Sequence, residues 1–229
     1  MSYRAIERLL PRFLRRYVLH FESAIEDSLE RFAASLRDGS RVLDAGAGER
    51  VHAKYFERGR YVAVDLAIGD SDWDYGKLDA IADLTALPFR DDSFEAVINI
   101  VTLEHVREPA CALREIHRAM MPGGRLLLIV PHAWEVHQAP HDYFRYTRHG
   151  VSHLLSKAGF AEFHIEPVGG YFRLMSRRLL NGLQFFPGPL IFIAAIFLAP
   201  PALIFPWFDS LDRARNFTLG YICTARKRS

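Results

Sequence analysis

The sequence predicts a doubly wound α/β fold, in which helices cover both faces of a mostly parallel sheet. Short apolar runs such as VLDA and LLLIV recur from Arg41 onward. They are apolar at successive positions, which is typical of strands buried on both faces. Segments with helical spacing alternate with these runs, and such alternation favours parallel strands joined by crossover helices.

The composition limits the class of protein. The chain has 229 residues, enough for one domain with a full core, and 29 Lys plus Arg nearly balance 27 Asp plus Glu. We therefore expect no nucleic-acid partner, because such proteins carry a concentrated basic excess. Cys111 and Cys223 match no disulfide or metal spacing. Residues 1–16 lack the uninterrupted apolar core of a signal peptide, so we expect a cytoplasmic protein.

Five strands are expected in order along the chain. They lie in RVLDA, YVAVDLA, LDAIADLTALPF, FEAVINIVTLEHV and GRLLLIVPH. A glycine-rich turn after the first strand leads into an expected helix. A second helix is expected in PACALREIHRAMMPGG, where Ala112, Ile116 and Ala119 recur on one side and Gly123-Gly124 ends it.

Polar residues and glycines fall where these strands end, which is the edge of an α/β sheet at which ligands bind. Gly46 and Gly48 allow a ligand to approach the backbone closely, and the N-terminus of the next helix offers free N–H groups. Asp65 ends the second strand, where its carboxylate suits both hydroxyls of a ribose. For Asp44 and Asp83, capping of a turn or helix is the alternative role.

Two nucleotide cofactors fit this order of acid, glycine turn, strand and acid. A dinucleotide requires G-x-G-x-x-G, but Val51 occupies the third glycine position and would disturb the packing of helix on strand. S-adenosylmethionine has no pyrophosphate and tolerates this change. The pattern therefore favours S-adenosylmethionine.

The chain resembles the class I S-adenosylmethionine-dependent methyltransferases, in the broad subfamily that methylates quinones, sterols and other small molecules. VLDAGAG, ADLTALPFRDDSFEAVINIVTLEHV and MPGGRLLLIVP match its motifs in order and spacing. The likeness covers Ser35 to Phe172 and the C-terminal strand, and it departs at Arg50, where the family often has a third glycine. It implies the seven-stranded Rossmann-like methyltransferase fold. FAEFHIEPV would be the sixth strand, and NFTLGYICTARK an antiparallel seventh inserted between the fifth and sixth.

The resemblance also implies a set of cofactor-binding residues. The methionine end would contact Asp44 and the glycine loop, the ribose would contact Asp65, and the adenine amino group would contact Asp83. The full expected set is Asp44, Ala45, Gly46, Gly48, Asp65, Leu66, Asp83, Leu84, Asn99 and Ile100. Glu104 and His105 are expected to hold the helix after strand four rather than to take part in chemistry.

The segment after strand five, PHAWEVHQAPHDYFRYT, is expected to supply acid–base chemistry beside the methyl group. Its candidate catalytic residues are His132, His141, Asp142 and Tyr143. The alternative is that Asp142 and its neighbours, with Arg145, only hold the loop to the next helix. A zinc site built from His132, His137 and His141 would have no cysteine ligand, and these histidines match no established spacing. We therefore expect no metal.

The run from Pro187 to Asp209 raises the question of a membrane, because no charged residue lies between Arg178 and Asp209. A single crossing would place strand seven on the wrong side of the membrane, and two crossings need about 40 residues. We therefore expect a hairpin that enters one leaflet and turns at Pro200-Pro201. The alternatives are a dimer interface made of the same residues and a flap over the active site.

The first 16 residues contain five arginines among apolar residues at helical spacing. A basic amphipathic helix of this kind suits an anionic membrane surface, and packing on the main domain is the alternative. The expected organisation is an N-terminal amphipathic helical segment over residues 1–36 and a methyltransferase domain over residues 37–229. Residues 179–208 would form its hydrophobic, membrane-dipping insertion.

The leading functional hypothesis is methylation of a membrane-embedded or lipid-linked acceptor, such as a lipid-carried glycan or an isoprenoid quinone. The enzyme would use S-adenosylmethionine and bind the inner face of a membrane. One alternative is methylation of a soluble small molecule, with the hydrophobic segment forming a homodimer. The other is a cofactor-binding regulatory protein without turnover.

Overall fold

The computed structural model describes residues 17–69 and 72–228. Its helices are α1 (His20–Ala34), α2 (Pro109–Ala119), α3 (Arg148–Lys157), α4 (Tyr171–Gly182) and α5 (Leu190–Ile204). Its strands are β1 (Arg41–Ala45), β2 (Arg60–Asp65), β3 (Ala80–Ile81), β4 (Phe94–Ile100), β5 (Met120–Pro131), β6 (Glu162–Val168) and β7 (Gly220–Arg226). The basic helix expected over residues 1–16 lies outside the described residues.

The seven strands form one sheet in the order β3-β2-β1-β4-β5-β7-β6. The first five strands in chain order pair in parallel. Strand β7 runs against β5, because the N–H of Gly123 near the start of β5 donates to the carbonyl oxygen of Lys227, just past the end of β7 (3.0 Å). The doubly wound fold, with an antiparallel seventh strand between the fifth and sixth, is therefore confirmed.

Alternate residues of the central strands form one core with α2 and α3. Leu43, Val97 and Leu128 are buried in this cluster with Ile116 of α2 and Leu155 of α3. The residues between them along each strand point to the opposite face of the sheet, where they are also buried. Burial on both faces explains the continuous apolar runs, and it fixes the positions of the strand ends that carry the site.

The helix expected after β1 is absent from the described part of the chain, so this expectation is wrong. The segment forms turns and a short 3-10 helix at Ala53–Tyr55 before β2 begins. Arg50 adopts a φ of 63°, a left-handed conformation that does not fit within a right-handed helix. The N–H groups beside the glycine loop therefore belong to a turn.

Helix α2 ends earlier than expected. It stops at Ala119, and β5 begins at Met120 and includes Gly123 and Gly124. A Cβ at Gly124 would lie 2.7 Å from the carbonyl oxygen of Met121. Gly124 therefore allows the backbone to come close at the start of β5, where the register with β4 shifts. It does not end the helix.

The chain divides into two compact units. The sheet unit covers Asp27–Glu166 with residues 221–228, and the helical unit covers residues 17–26 with Pro167–Gly220. The helical unit contains α4 and α5 and lies, along the chain, between β6 and β7. The expected insertion at residues 179–208 lies within this unit, and its bounds stay a prediction.

In the helical unit the chain reverses between α4 and α5, so the expected turn at Pro200-Pro201 is wrong. Leu183–Phe185 forms a 3-10 helix, and Gly188 follows between two prolines with a φ of 56°. Pro200 and Pro201 instead lie inside α5, which runs on into a 3-10 helix at Phe205–Leu211. Each proline lacks an N–H donor, which weakens the helix, but its fixed φ of about −65° is compatible with helical geometry.

Candidate active site

The turn that follows β1 is a backbone cradle at the carboxyl edge of the sheet. Gly46 and Gly48 have φ values of 96° and 50°, which L side chains rarely adopt. The N–H groups of Gly46 and Ala47 both donate to the carbonyl oxygen of Val64 in β2, at 2.8 and 3.0 Å. The cradle is therefore held by the neighbouring strand.

Gly46 is also required by a contact that sequence reasoning missed. A Cβ at Gly46 would lie 2.2 Å from Cγ2 of Thr102, the second residue after β4. The Thr102 hydroxyl lies 3.1 Å from the carbonyl oxygen of Gly46 and 3.0 Å from that of Ile100, to either of which it is able to donate. Because these residues are 56 apart in the sequence, no local pattern reveals the contact.

Asp65 lies at the end of β2, as expected, with a half-buried side chain. Its Oδ2 accepts from the N–H of Gly48 (3.0 Å) and its Oδ1 accepts from the N–H of Ala67 (2.8 Å). These two bonds hold the carboxylate against the cradle in one orientation. Each oxygen has a further lone pair with which to accept a ribose hydroxyl.

Asp44 differs from Asp65 because its side chain is completely buried. Its Oδ2 accepts from the hydroxyl of Tyr61 and lies 3.0 Å from Nδ1 of His52. Burial, with the neighbouring Asp44 carboxylate, raises the pKa of Tyr61, so the phenol keeps its proton. Oδ1 has no hydrogen-bond partner among the described residues. This oxygen suits the ammonium group of a ligand, because a buried carboxylate oxygen requires a donor or a cation.

Asn99 is fully buried in β4, one residue before Ile100, and its side chain ties two strands together. Nδ2 donates to the carbonyl oxygen of Ala45 at the end of β1 (2.6 Å). Asn99 therefore positions the cradle, and its contact with the sulfonium end of the cofactor stays a prediction.

Asp83 and Leu84 follow β3, and Leu66 follows β2. Asp83 is exposed, and its Oδ1 accepts from both the N–H and the hydroxyl of Thr85, each at 2.8 Å. These bonds match the turn-capping alternative and engage only one of its two oxygens. Leu66 is 41% exposed, whereas Leu84 is buried. An apolar side chain on the surface at the end of β2 is available to pack against an adenine.

Arg50 occupies the position where the resembling family often has a third glycine, and its backbone shows why a glycine suits it. Its φ of 63° lies in the left-handed region, which costs a non-glycine residue roughly 1–2 kcal/mol. Nη1 of Arg50 donates to the carbonyl oxygen of Lys77 (2.9 Å), and the guanidinium lies 5.3 Å from the ring centroid of Tyr61. These contacts offset part of the strain.

Trp73 is a site residue that sequence reasoning missed. A Cβ at Gly48 would lie 3.0 Å from Cζ3 of its ring, and a Cβ at Gly69 would lie 3.1 Å from the same ring. The connection between β2 and β3 therefore places an aromatic ring against the cradle. A tryptophan in the loop that follows Asp65, the acid expected to bind the ribose, is the signal that would have identified it.

His132 directly follows β5 at the carboxyl edge of the sheet. Its Nδ1 lies 2.7 Å from the carbonyl oxygen of Tyr146, and because a carbonyl only accepts, Nδ1 carries the proton. In the neutral ring Nε2 then has the lone pair that a general base needs. The ring also packs edge-on against Tyr221 of β7, with 5.7 Å between centroids.

Asp142 forms an ion pair within the loop after β5. Arg145 donates from Nη1 to Oδ1 (2.6 Å) and from Nη2 to Oδ2 (2.7 Å), and the N–H of His137 donates to Oδ2 (2.9 Å). These bonds, above all those from Arg145, lower the pKa of Asp142 to about 2. Asp142 therefore stays ionised at neutral pH, and this geometry matches the alternative in which the pair holds the loop.

His141 and Tyr143 belong to a side-chain network on the same loop. Nδ1 of His141 lies 3.0 Å from the hydroxyl of Tyr143, which also accepts from Nε of Arg107 (2.9 Å). Both side chains are half-buried. Their direct part in catalysis stays a prediction.

A further group of side chains lies beside this loop. Glu104, His105 and His137 place carboxylate and imidazole atoms within 4.8 Å of one another. Glu104 is completely buried, and burial raises its pKa to about 8. Among the described residues, the fold thus groups His137 with Glu104 and His105, and not with the two histidines considered from the sequence.

These features fit S-adenosylmethionine better than a dinucleotide. The left-handed glycines and the fixed Asp65 carboxylate suit an adenosine, and the partnerless oxygen of Asp44 suits the ammonium group of the methionine end. A dinucleotide would place its pyrophosphate on a helix N-terminus, and only a short 3-10 helix follows β1 in the described chain. Val51 is 58% exposed at the third glycine position.

The sheet order and the cradle together define the class of S-adenosylmethionine-dependent methyltransferase folds. The family described as a methyltransferase domain matches residues 15–163. The chain therefore belongs to this methyltransferase family, and the class and cofactor predicted from its motifs are confirmed.

A related protein is the demethylmenaquinone methyltransferase of Renibacterium salmoninarum. It is 42% identical over 98 residues, which are 39% of this chain and 40% of that protein. The similarity thus spans less than half the length of this relative.

Two solved structures are similar over most of their length. The [4+2]-cyclase SpnF has a TM-score of 0.58 and 22% identity, covering 88% of this chain and 81% of that chain. The 1,6-didemethyltoxoflavin-N1-methyltransferase of Burkholderia thailandensis, solved with S-adenosylhomocysteine, has a TM-score of 0.55 and 19% identity, covering 95% and 86%. Because one of the two is a cyclase, the shared fold alone does not define the reaction.

Proposed function

We propose that the protein transfers a methyl group from S-adenosylmethionine to a lipid-like acceptor at a membrane surface. The observation that carries this proposal is the apolar segment Leu190–Leu211, within which an 18-residue window has a mean hydropathy of 2.2 and only 17% of that window is buried. Phe192, Ile196 and Phe197 of α5 are between 69% and 73% exposed. Soluble surfaces rarely expose an apolar patch of this kind.

The contacts of this segment favour insertion into one leaflet over a crossing of the bilayer. Asp209, near its end, accepts a hydrogen bond from the N–H of Gly170 at the start of α4. The two ends of the excursion therefore lie together. Helix α4, which packs on α5, carries Arg173, Arg177 and Arg178. A crossing would bring these charges into hydrocarbon, which is costly.

Adsorption of α5 is energetically sufficient without a crossing. Full burial of an exposed Phe or Ile side chain contributes about 1.5–3 kcal/mol. Phe192, Ile196 and Phe197 together would therefore hold the protein on a bilayer. We place the protein on the inner face of a membrane, as a peripheral or monotopic protein.

An isoprenoid quinone is the acceptor we favour, with a lipid-carried glycan as the second type. The similarity to a demethylmenaquinone methyltransferase supports the quinone type. An acceptor with a long apolar tail stays in the bilayer, so an enzyme that acts on it has to reach the membrane surface. The exposed helix α5 would meet this requirement.

The residues of the sheet unit would divide the work of methyl transfer. S-adenosylmethionine supplies a methyl group that its sulfonium has already activated. Asp65 and the glycine cradle would orient the cofactor for the transfer. Nε2 of His132 would accept a proton from the acceptor as the new bond forms.

Sedimentation with liposomes that contain anionic lipid tests the membrane proposal. The wild-type protein is expected in the pellet. The triple variant Phe192→Ser, Ile196→Ser, Phe197→Ser is expected in the supernatant with unchanged affinity for S-adenosylmethionine. A control variant, Ile81→Ser with Val136→Ser, removes apolar side chains of similar exposure (69% and 76%) from the sheet unit and should still sediment.

Acceptor class is tested by incubating membranes with methyl-labelled S-adenosylmethionine and extracting the lipids. Label in a quinone-like lipid supports the proposal. A wild-type protein that stays in the supernatant as a dimer and labels only soluble molecules would support the dimer alternative instead. Cofactor binding without label in any fraction would support the regulatory alternative.

A further inference from the structure

We infer that Glu104, His105 and His137 bind one divalent ion of a first-row transition metal. Glu104 and His105 lie in the 3-10 turn Leu103–His105 after β4, and His137 lies in the loop after β5. Their ligand atoms lie within 4.8 Å of one another. Two loops at the carboxyl edge of the sheet thus meet at one point, and this site does not depend on the identity of the methyl acceptor.

Glu104 provides the first indication of a bound cation. Its side chain is completely buried, and neither Oε1 nor Oε2 has a hydrogen-bond partner among the described residues. Buried carboxylates are normally paired with a donor or coordinated to a metal, because burial without a partner is unfavourable. A cation beside the carboxyl group of Glu104 would supply the missing partner.

His105 provides a second, independent indication. Its Nδ1 lies 2.6 Å from the carbonyl oxygen of His141, and since a carbonyl only accepts, Nδ1 carries the proton. The neutral ring then has its lone pair on Nε2, which is buried without a partner among the described residues. Metal-binding histidines commonly donate their other ring N–H to a backbone carbonyl in this way.

His137 is held in the same manner. Its Nδ1 lies 3.1 Å from the carbonyl oxygen of Glu135 and 3.5 Å from both Oδ2 of Asp142 and Nη2 of Arg145. The nearest of these atoms is the carbonyl oxygen, which only accepts. The proton is therefore placed on Nδ1, and Nε2 has the lone pair. Asp142 is itself fixed by Arg145, so a carboxylate orients this histidine as in many metal sites.

The distances suit a metal ion. Oε1 of Glu104 lies 3.8 Å from Nε2 of His105 and 3.9 Å from Nε2 of His137. Bonds of about 2.0–2.2 Å in tetrahedral geometry place neighbouring ligand atoms about 3.3 Å apart, so each of these two distances needs a contraction of about half an ångström. The two imidazole ligand atoms lie within 4.8 Å of each other and would also move together. Three protein ligands leave a position open to water or another ligand, on the side of His137, whose side chain is the most exposed of the three.

The chemistry of the donor set selects the ion. Two imidazoles and one carboxylate suit Zn²⁺, Fe²⁺ or Mn²⁺, whereas Mg²⁺ and Ca²⁺ prefer oxygen ligands. A proton on Glu104 is the competing occupant. It would neutralise the carboxyl group but would not bind both imidazoles.

Calorimetric titration of the untagged full chain with Zn²⁺, after removal of metal by a chelator, tests the inference. We expect one equivalent to bind. Loss of a residue that only hydrogen-bonds to a metal ligand weakens metal binding about 10–100-fold. Glu104→Gln and His137→Ala remove ligands themselves, so each should weaken Zn²⁺ binding by more than that. His149→Ala, which removes an exposed histidine outside the cluster, should bind as the wild type does.

Cobalt(II) substitution provides a second measurement. Visible absorption bands of four- or five-coordinate cobalt should appear with the wild type and with His149→Ala, and be lost with His137→Ala. Binding of less than a tenth of an equivalent by the wild type would overturn the inference, as would equal affinity in His137→Ala. His137 is half-exposed, so this variant decides the question even if Glu104→Gln fails to fold.

Discussion

The carboxylate of Asp209 accepts a hydrogen bond from the backbone N–H of Gly170, with 3.1 Å between Oδ1 and N. It also accepts from the N–H of Arg173 (3.0 Å) and from Nη1 of Arg215 (2.9 Å). One buried acid thus joins the start of α4 to the residues that follow α5. The position also suits a carboxylate, because the N-terminus of a helix favours negative charge.

Replacing Asp209 with Ala should therefore destabilise the helical unit. The change leaves N–H donors of α4 unpaired, which costs about 1–3 kcal/mol for each group that stays buried. Urea unfolding followed by the fluorescence of Trp207 measures the loss. The neighbouring change Ser210→Ala, at an exposed side chain, is the control and should leave the unfolding midpoint in place. Equal midpoints for the two variants would contradict this account of the helical unit.

Asp65→Ala should weaken binding of S-adenosylmethionine. The carboxylate is fixed by Gly48 and Ala67 and would accept both ribose hydroxyls, and hydrogen bonds to a charged group contribute about 1.5–3 kcal/mol each. The dissociation constant should therefore rise by one to a few powers of ten. Calorimetry checks this result. Asp91→Ala, at an exposed acid that precedes β4, should bind normally, and normal binding by Asp65→Ala in a folded protein would refute the assignment.

Gly46→Ala should destabilise the sheet unit through contact with Thr102. The new Cβ would lie 2.2 Å from Cγ2 of Thr102, and the φ of 96° adds strain of roughly 1–2 kcal/mol. Adding Thr102→Gly should recover the steric part of the loss but not the backbone part. Thermal unfolding of the single and double variants separates the two contributions. If Thr102→Gly gives no recovery, the contact with Thr102 is not the cause.

Trp73 should report the arrival of the cofactor. Its ring lies against Gly48, so a ligand in the cradle must contact it or displace it. Titration with S-adenosylmethionine should change the tryptophan emission of the wild type and of Trp207→Phe, whose indole is in the helical unit. Trp73→Phe should lose this change while calorimetry still detects binding. A change that persists in Trp73→Phe would show that the ring of Trp73 is not the reporter.

His132→Ala should lower turnover about 10²–10⁴-fold if its Nε2 is the general base. Affinity for S-adenosylmethionine should stay near normal, because the residue follows β5 and not the cradle. His153→Ala, at an exposed histidine of α3, should keep full turnover. Full turnover in His132→Ala would mean that the acceptor needs no base at this position, as expected for a carbon nucleophile that its own ring activates.

The first five strands along the chain were predictable because the physical cause is local. Residues Leu126 to Val130 are all apolar and all buried. Short apolar runs that alternate with helical segments along the chain are typical of parallel strands buried on both faces. Acids at strand ends, such as Asp65, were predictable for the same reason, since they mark where burial stops. The inserted β7 came from resemblance and not from periodicity.

The remaining features depend on contacts between distant residues or on single backbone angles. The helix expected after β1 does not form, and Arg50 there adopts a left-handed φ. An arginine in the sequence gives no sign of this backbone conformation. Pro200 and Pro201 predict a turn by local rules, yet α5 continues through them and the reversal falls at Gly188. The grouping of Glu104 with His137 joins residues from two loops, and no spacing along the chain reveals it.

The position of β7 in the sheet has a consequence for synthesis of the chain. A ribosome releases the helical unit before β7, yet β7 lies between β5 and β6 in the finished sheet. The sheet therefore remains incomplete until β7 inserts, and until then the apolar side chains of α5 belong to a partly folded chain. Nascent chains with such surfaces aggregate unless something covers them. Covering of side chains such as Phe192 before β7 pairs would therefore favour completion of the sheet.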